Sequence, residues 1–220
     1  MDRFVLDIAP VKRTKCDAKR YYDRISRYYD IVAGSFERKY AQMALDMLSI
    51  CEGETVVEIG IGTGHCLKSI AQFVGRSGMV CGIDISGGML QISKQRLGNA
   101  AGLCCGDAVC LPYMDSVFDA VFMSFTLELF DTPEIPIVLS EIRRVLKDRG
   151  RLGIVAMSKK GKGDAMIGLY EWLHKKWPAY FDCRPIYLEK AIIEAGFIVQ
   201  SQRRASLFGL PLEIVTAQKL

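Results

Sequence analysis

The sequence predicts an α/β protein: a doubly wound, mostly parallel sheet of seven strands with helices on both faces. Three observations carry that prediction. From Thr55 onward, short apolar runs rich in Val, Ile, Phe and Met alternate with segments of helical periodicity. The first run ends in glycines at alternate positions, VVEIGIGTGHC over residues 56–66. Half of the 220 residues are hydrophobic and a quarter charged, which suffices to bury the core of one generous domain.

The elements follow in order. Residues 17–50, including KRYYDRISRYYDIVAG, are helical in pattern, and residues 1–50 are read as an N-terminal helical cap on an α/β domain over 51–220. Strands are expected at 55–60, 78–85, 101–107, 118–125 and 150–157, with helices at 64–74, 88–97 and 135–146. Strands separated by helices imply right-handed crossovers and a parallel sheet covered on both sides. A helical insertion follows the fifth strand, around 158–185. There SKKGKGD reads as a hinge and DAMIGLYEWLHKKWPAYFDCRP as a lid. A helix over 185–196 then leads to two runs, 197–209 and 211–220, expected as an antiparallel pair at one sheet edge.

Composition removes several function classes. Net charge is +4, and the 29 Lys and Arg are not gathered into a stripe, so no nucleic-acid partner is expected. No run of about 18 apolar residues spans a membrane, and the first residues lack a signal-peptide core, so a cytoplasmic location is expected. The eight cysteines form no C-x-x-C pair, and the two histidines, His65 and His174, lie far from them in sequence. No metal site is therefore expected, and the cysteines are read as buried free thiols in a reducing compartment.

Glycines behind a buried strand let a ligand approach the backbone, because no Cβ stands in the way. Gly60, Gly62 and Gly64 supply that approach at the crevice beyond the strand ends, and the following helix offers free N–H groups. The spacing is G-x-G-x-G, with His65 where a dinucleotide fingerprint has its last glycine. Glu58, two residues before the first glycine, would repel a pyrophosphate but can accept from an ammonium group or through water. These residues point to a nucleoside carrying a cation. An acid some 20 residues further on, Asp84, also suits an NAD(P)-linked oxidoreductase, which the spacing and Glu58 oppose.

Five ordered motifs extend this reading: E-x-G-x-G-x-G at 58–64, GIDIS at 82–86, GDAVCLP at 106–112, FDAVFMSFTLELF at 118–130 and EIRRVLKDRGRLGIV at 141–155. Together they resemble the class I S-adenosylmethionine-dependent methyltransferases, over roughly residues 20–200. LPYMDSVFDAVFMSFTLELF and YYDRISRYYDIVAG are similar to segments of the ubiquinone/menaquinone-biosynthesis type. The resemblance implies a Rossmann-like fold, S-adenosylmethionine as methyl donor, S-adenosylhomocysteine as product and a small-molecule acceptor, lipophilic or quinone-like.

Site roles follow from the resemblance, each beside a plainer reading. Asp84 would hold the ribose hydroxyls, or cap the next helix, a task Ser86 could also do. Asp107 would accept the adenine amino hydrogen with the Ala108 N–H facing the ring, or serve as a turn residue. Ile85 and Met89 would pack on the adenosine faces, or belong to the core. Tyr29 would contact the methionine end, or pack the lid. Ser124, Phe125 and Thr126 end the fourth strand at the mouth facing the methyl group. Glu128 is the nearest ionisable candidate for a general base, against a solvated carboxylate at a helix start. Residues 164–181, with Trp172, Trp177, Lys175 and Lys176, suit a cap on the acceptor pocket and also contact with lipid headgroups. A cofactor-binding module without turnover, and an RNA or protein acceptor, are the further alternatives.

Overall fold

A computed structural model describes residues 8, 10–11, 13–31, 35–160, 168, 172, 176 and 183–220. Helix α1 (Lys15–Ile25) begins where the Thr14 hydroxyl accepts from the Asp17 N–H at 3.2 Å, a side-chain N-cap. The chain then turns through Ser26–Ile31 and resumes as α2 (Ser35–Leu48), so the helical stretch expected over 17–50 is two helices. Ala41, Ala44, Leu45 and Leu48 recur at helical spacing on one face of α2 and are buried against the sheet.

The remaining elements are β1 (Thr55–Ile59), α3 (His65–Val74), β2 (Met79–Asp84), α4 (Gly87–Leu97), β3 (Gly102–Cys105), β4 (Phe118–Ser124), α5 (Ile135–Val145), β5 (Leu146–Met157), α6 (Leu188–Glu194), β6 (Phe197–Leu207) and β7 (Leu210–Lys219). They form one seven-stranded sheet in the order β3-β2-β1-β4-β5-β7-β6. The first five are parallel, while β7 runs antiparallel to both β5 and β6. The C-terminal pair expected at one edge is present, with β7 wedged between β5 and β6.

Strands buried on both faces carry two cores, one per side, with the two-residue alternation of a pleat. Val57, Val121, Leu152, Ile154 and Val215 face α5 and α6, whereas Val56, Ala120, Phe122, Val155 and Ile214 face α2 and α3. Strand order reverses between β1 and β4. There the carboxyl ends of adjacent strands leave the crevice in which doubly wound folds bind ligands.

Among the described residues, no helix is long and apolar enough to cross a membrane. All eight cysteines are free, but none is fully buried: Cys16, Cys51, Cys105 and Cys110, at element ends or in loops, are exposed, and Cys66, Cys81, Cys104 and Cys183 are half-buried. Most of the insertion expected at 158–185, including Trp177 and Lys175, lies outside the described residues. Of it, Trp172 is exposed, with the Lys176 ammonium 4.9 Å from its ring centre.

Candidate active site

The glycine loop leaves β1 and is tied to its neighbours through backbone groups. Gly60 N–H donates to the Ile83 carbonyl at 2.8 Å, and Gly62 N–H donates to Asp84 Oδ2 at 2.9 Å. Ser93 on α4 donates to the Gly62 carbonyl at 2.8 Å, and Arg96 donates to the Thr63 carbonyl. Both Gly60 (φ +73°) and Gly62 (φ +51°) sit in the left-handed region that disfavours side chains. A Cβ on Gly60 would collide with Thr126, whereas one on Gly62 would meet nothing within 4 Å, because Gly62 faces open space.

That space is a cavity of about 520 Å³. Of the residues singled out in the sequence, Tyr29, Gly60, Gly62, Asp84, Ile85, Met89, Asp107, Ala108, Ser124, Phe125 and Thr126 line it. They come from the loop after β1, the ends of β2 and β4 and the residues just beyond them, the loop after β3, the start of α4 and the N-terminal segment. Three others do not line it. Gly64 packs on α4, where a Cβ would stand 2.7 Å from Ser93 Oγ. Glu58 is buried beneath the loop, bonded to the Leu67 N–H, and borders a separate hollow of about 70 Å³. Burial, with Asp84 nearby, pushes its carboxyl well above the usual range.

Glu128 is the largest departure. It is 0% exposed, with Oε1 accepting from the Met157 N–H at 3.2 Å, behind the rim rather than in the cavity. It cannot reach an acceptor as a general base. Neither is it a solvated helix-start carboxylate, because the 3-10 turn Leu127–Leu129 tucks it against β5.

Asp84 ends β2 with both oxygens engaged, Oδ2 by Gly62 and Oδ1 by the Ser86 N–H at 2.8 Å. Burial nevertheless raises its pKa to about 6. Ser86 takes the capping task, accepting from the Met89 N–H at 3.1 Å. Asp107 turns one oxygen to the Val109 N–H and the other to Lys15 Nζ at 2.6 Å.

Lys15 belongs to a strap of N-terminal residues that sequence reasoning missed. Its ammonium also lies 2.6 Å from Glu134, so it bridges two carboxylates across the cavity mouth. Those carboxylates outweigh burial and raise the Lys15 pKa. Val11 N–H donates to Asp131 at 3.2 Å. Asp23 accepts from Ser86 Oγ and the Gly88 N–H at 2.7 and 2.8 Å, docking α1 on the start of α4. Asp30 accepts from Thr63 Oγ1 at 2.5 Å, Arg96 at 2.6 Å and His65 at 3.0 Å. Burial opposes ionisation of Asp30, but these bonds hold its pKa at about 2.

The N-terminal strap and the 129–134 segment also line the cavity, with the apolar Val11, Ala18, Tyr22, Leu129, Phe130 and Pro133 interleaved with the charged Arg13, Lys15, Asp131 and Glu134. Tyr22 and Tyr29 pack edge to face with centroids 6.3 Å apart, although the chain turns between them. The wall from Leu129 to Glu134 is held from behind by Arg184, which is 0% exposed. Arg184 donates to Thr132 Oγ1 at 2.9 Å and to the Phe130 carbonyl. A proline and two acids (DTPE, 131–134) just before a helix were the available signal for this wall. Lys15, Asp30 and Arg184 gave none, because the partners named here lie 33 to 119 residues away.

The site fits an S-adenosyl nucleoside on its own geometry. Gly62 offers bare backbone, Asp84 and Asp107 stand at adjacent strand tips, and the Ser124 hydroxyl is buried in the wall with no partner among the described residues. The methyltransferase domain family matches residues 56–150. A demethylmenaquinone methyltransferase of Thermotoga maritima is 30% identical over 172 residues, 75% of this chain and 72% of the relative. A 2-phytyl-1,4-naphthoquinone methyltransferase of Thermosynechococcus vestitus is 28% identical, over 71% of this chain and 68% of its own.

Solved structures agree on the fold. A didemethyltoxoflavin methyltransferase of Burkholderia thailandensis superposes with a TM-score of 0.69 at 18% identity, covering 96% of this chain and 94% of the other. The cyclase SpnF gives 0.76 at 19% identity, covering 96% and 97%. At such identities these likenesses show the fold alone, and one of the two is named for a different reaction.

Fold, family match and relatives together define an S-adenosylmethionine-dependent methyltransferase with a Rossmann-like core. Within that class, the chain belongs to the family of the demethylmenaquinone methyltransferases.

Proposed function

We propose that the protein methylates a ring carbon of a quinol-like aromatic that carries an apolar tail. The carrying observation is a single cavity lined by two unlike sets of residues. Glycine backbone and strand-tip carboxylates make up one set, and Tyr22, Leu129, Phe130 and Pro133, with Lys15, Asp131 and Glu134 beside them in the chain, make up the other. Relatives named for demethylmenaquinone and for a phytyl naphthoquinone support the choice of acceptor.

Bound S-adenosylmethionine supplies a sulfonium whose methyl is already electrophilic. The chain therefore has to align the two partners and exclude water. Asp84, ionised at neutral pH, accepts from the ribose hydroxyls, and Asp107 with the Ala108 N–H frames the adenine. Ile85 and Met89 flank the nucleoside, while Gly60 and Gly62 admit it against bare backbone. Tyr29 and the Ser124 hydroxyl serve the methionine end, and Phe125 and Thr126 shape the passage toward the acceptor. Tyr22 and Phe130 hold the acceptor ring. Methylating a ring carbon requires a proton to leave it, and Asp131 takes the place that Glu128 cannot fill. Among the cavity carboxylates at the acceptor end, it is the one not bonded to Lys15.

The test is transfer from methyl-labelled donor to a prenyl-substituted 1,4-naphthohydroquinone under reducing conditions, with the labelled position read by mass spectrometry and NMR. The expected product carries the label on ring carbon. Label on oxygen, or transfer only to small polar metabolites, contradicts the proposal.

A further inference from the structure

The β6–β7 hairpin turns on two residues, Phe208 and Gly209, both left-handed at φ +51° and +85°. Such a turn favours Asn or Asp followed by Gly, and a bulky aromatic at its first position is strained. Phe208 is nonetheless 68% exposed, so no burial offsets that strain. The tip is held firmly, since the Tyr40 hydroxyl donates to the Ser206 carbonyl at 2.5 Å. The Phe208 ring stands edge to face on Phe36, itself 50% exposed, with centroids 4.9 Å apart. A strained and exposed aromatic on a fixed tip is what a contact outside the chain would retain.

Its position and charge indicate what that contact is. Leu212 pairs with Met157 at the carboxyl end of β5, so the tip projects from the side of the sheet on which the cavity opens. Tyr28 and Ile31, at 64% and 78% exposure, flank Tyr29 of the cavity wall in the chain. Arg27, Lys39 and Arg203 on these same segments are exposed. The acids of residues 24–39 turn inward instead, Asp30 to Thr63 and Arg96, and Glu37 to the Tyr29 hydroxyl. The outward charge is therefore cationic. A second copy of the chain would present the same cations and be repelled, whereas aromatic rings between cations suit an anionic bilayer surface.

We infer that the Phe36–Phe208 edge, flanked by Arg27, Lys39 and Arg203, docks the cavity rim on an anionic lipid surface. The purpose rests on the lipophilic-acceptor reading, but the contact is measured without turnover. Wild-type protein is centrifuged with phosphatidylcholine vesicles, with and without phosphatidylglycerol. It should sediment with the anionic vesicles and be released by salt.

Phe208→Asn suits the left-handed turn, so it should raise Tm while weakening vesicle binding about tenfold or more, as should Phe36→Ser. Either of two vesicle results overturns the inference: no binding by the wild type, or full binding by a folded Phe208→Asn variant. A concentration-dependent dimer abolished by Phe208→Asn overturns it as well, by making a second copy the occupant. Lipid binding without quinol methylation would sink only the acceptor reading, and methylation without lipid binding only the docking surface.

Discussion

The two ends of the cavity are built by opposite strategies. The nucleoside end is local: Gly60, Gly62, Asp84, Asp107 and Ser124 each follow a strand by no more than three residues or end it, so pairing of the parallel strands sets them side by side. The acceptor end is assembled at long range. Lys15 crosses to Asp107 and Glu134, Val11 to Asp131, and Arg184 to Thr132.

Breaking the acceptor end should cost most at its buried cation. Burial lowers the pKa of Arg184, with Asp131 and Glu128 nearby countering it. Arg184→Met strands buried Glu128 and should destabilise the fold by about 3–5 kcal/mol in urea unfolding. Arg184→Lys, which keeps the charge, should recover part of that. A loss of less than about 1 kcal/mol would show that the wall stands without this support.

The nucleoside end should fail instead through Asp84. Asp84→Asn should weaken S-adenosylhomocysteine binding by about 1.5–3 kcal/mol in calorimetry at neutral pH. The ionised form is the better acceptor, so wild-type affinity should rise as pH increases through about 6, and the variant should lose that dependence. Identical pH profiles would remove Asp84 from the nucleoside contact.

These two groups show how much the sequence disclosed and why. Asp84 was legible because strand, glycine loop and acid recur at short spacing, a pattern that burial on both sheet faces imposes. Arg184 was not, because nothing local distinguishes a buried arginine from a solvated one. Glu128 was misread for the same reason. An acid beside a strand end at the cavity mouth is placed by its backbone, while the packing of β5 decides that its side chain points inward. The break between α1 and α2 was also missed, since Ser26–Ile31 carries no proline or glycine and the one sequence mark, Gly34, stands only at its far end.

Smaller effects sharpen the contrast where the strap meets the glycine loop. The Asp30 pKa of about 2 lies below its ordinary value. Its stabilising contribution is therefore complete above roughly pH 4 and is lost as pH falls toward 2. Asp30→Asn should cost about 2 kcal/mol at neutral pH, and the difference from wild type should vanish in acid. An unchanged difference at low pH would mean the ion network contributes nothing there.

The smallest effect expected is at Lys15, which is more than a third exposed. Lys15→Met should raise the acceptor KM by about two- to fivefold, with less effect on the kcat of bound acceptor. A change in donor affinity alone would place Lys15 with the nucleoside end instead.

The most direct measurement is a crystal structure with S-adenosylhomocysteine and a prenyl naphthoquinone bound together. The ribose hydroxyls should lie within hydrogen-bond distance of Asp84, the adenine beside Asp107 and Ala108, and the quinone ring between Tyr22 and Phe130 with its methylated carbon facing the sulfur. A nucleoside bound away from Asp84 and Asp107, or a quinone ring outside that cavity, would contradict the account.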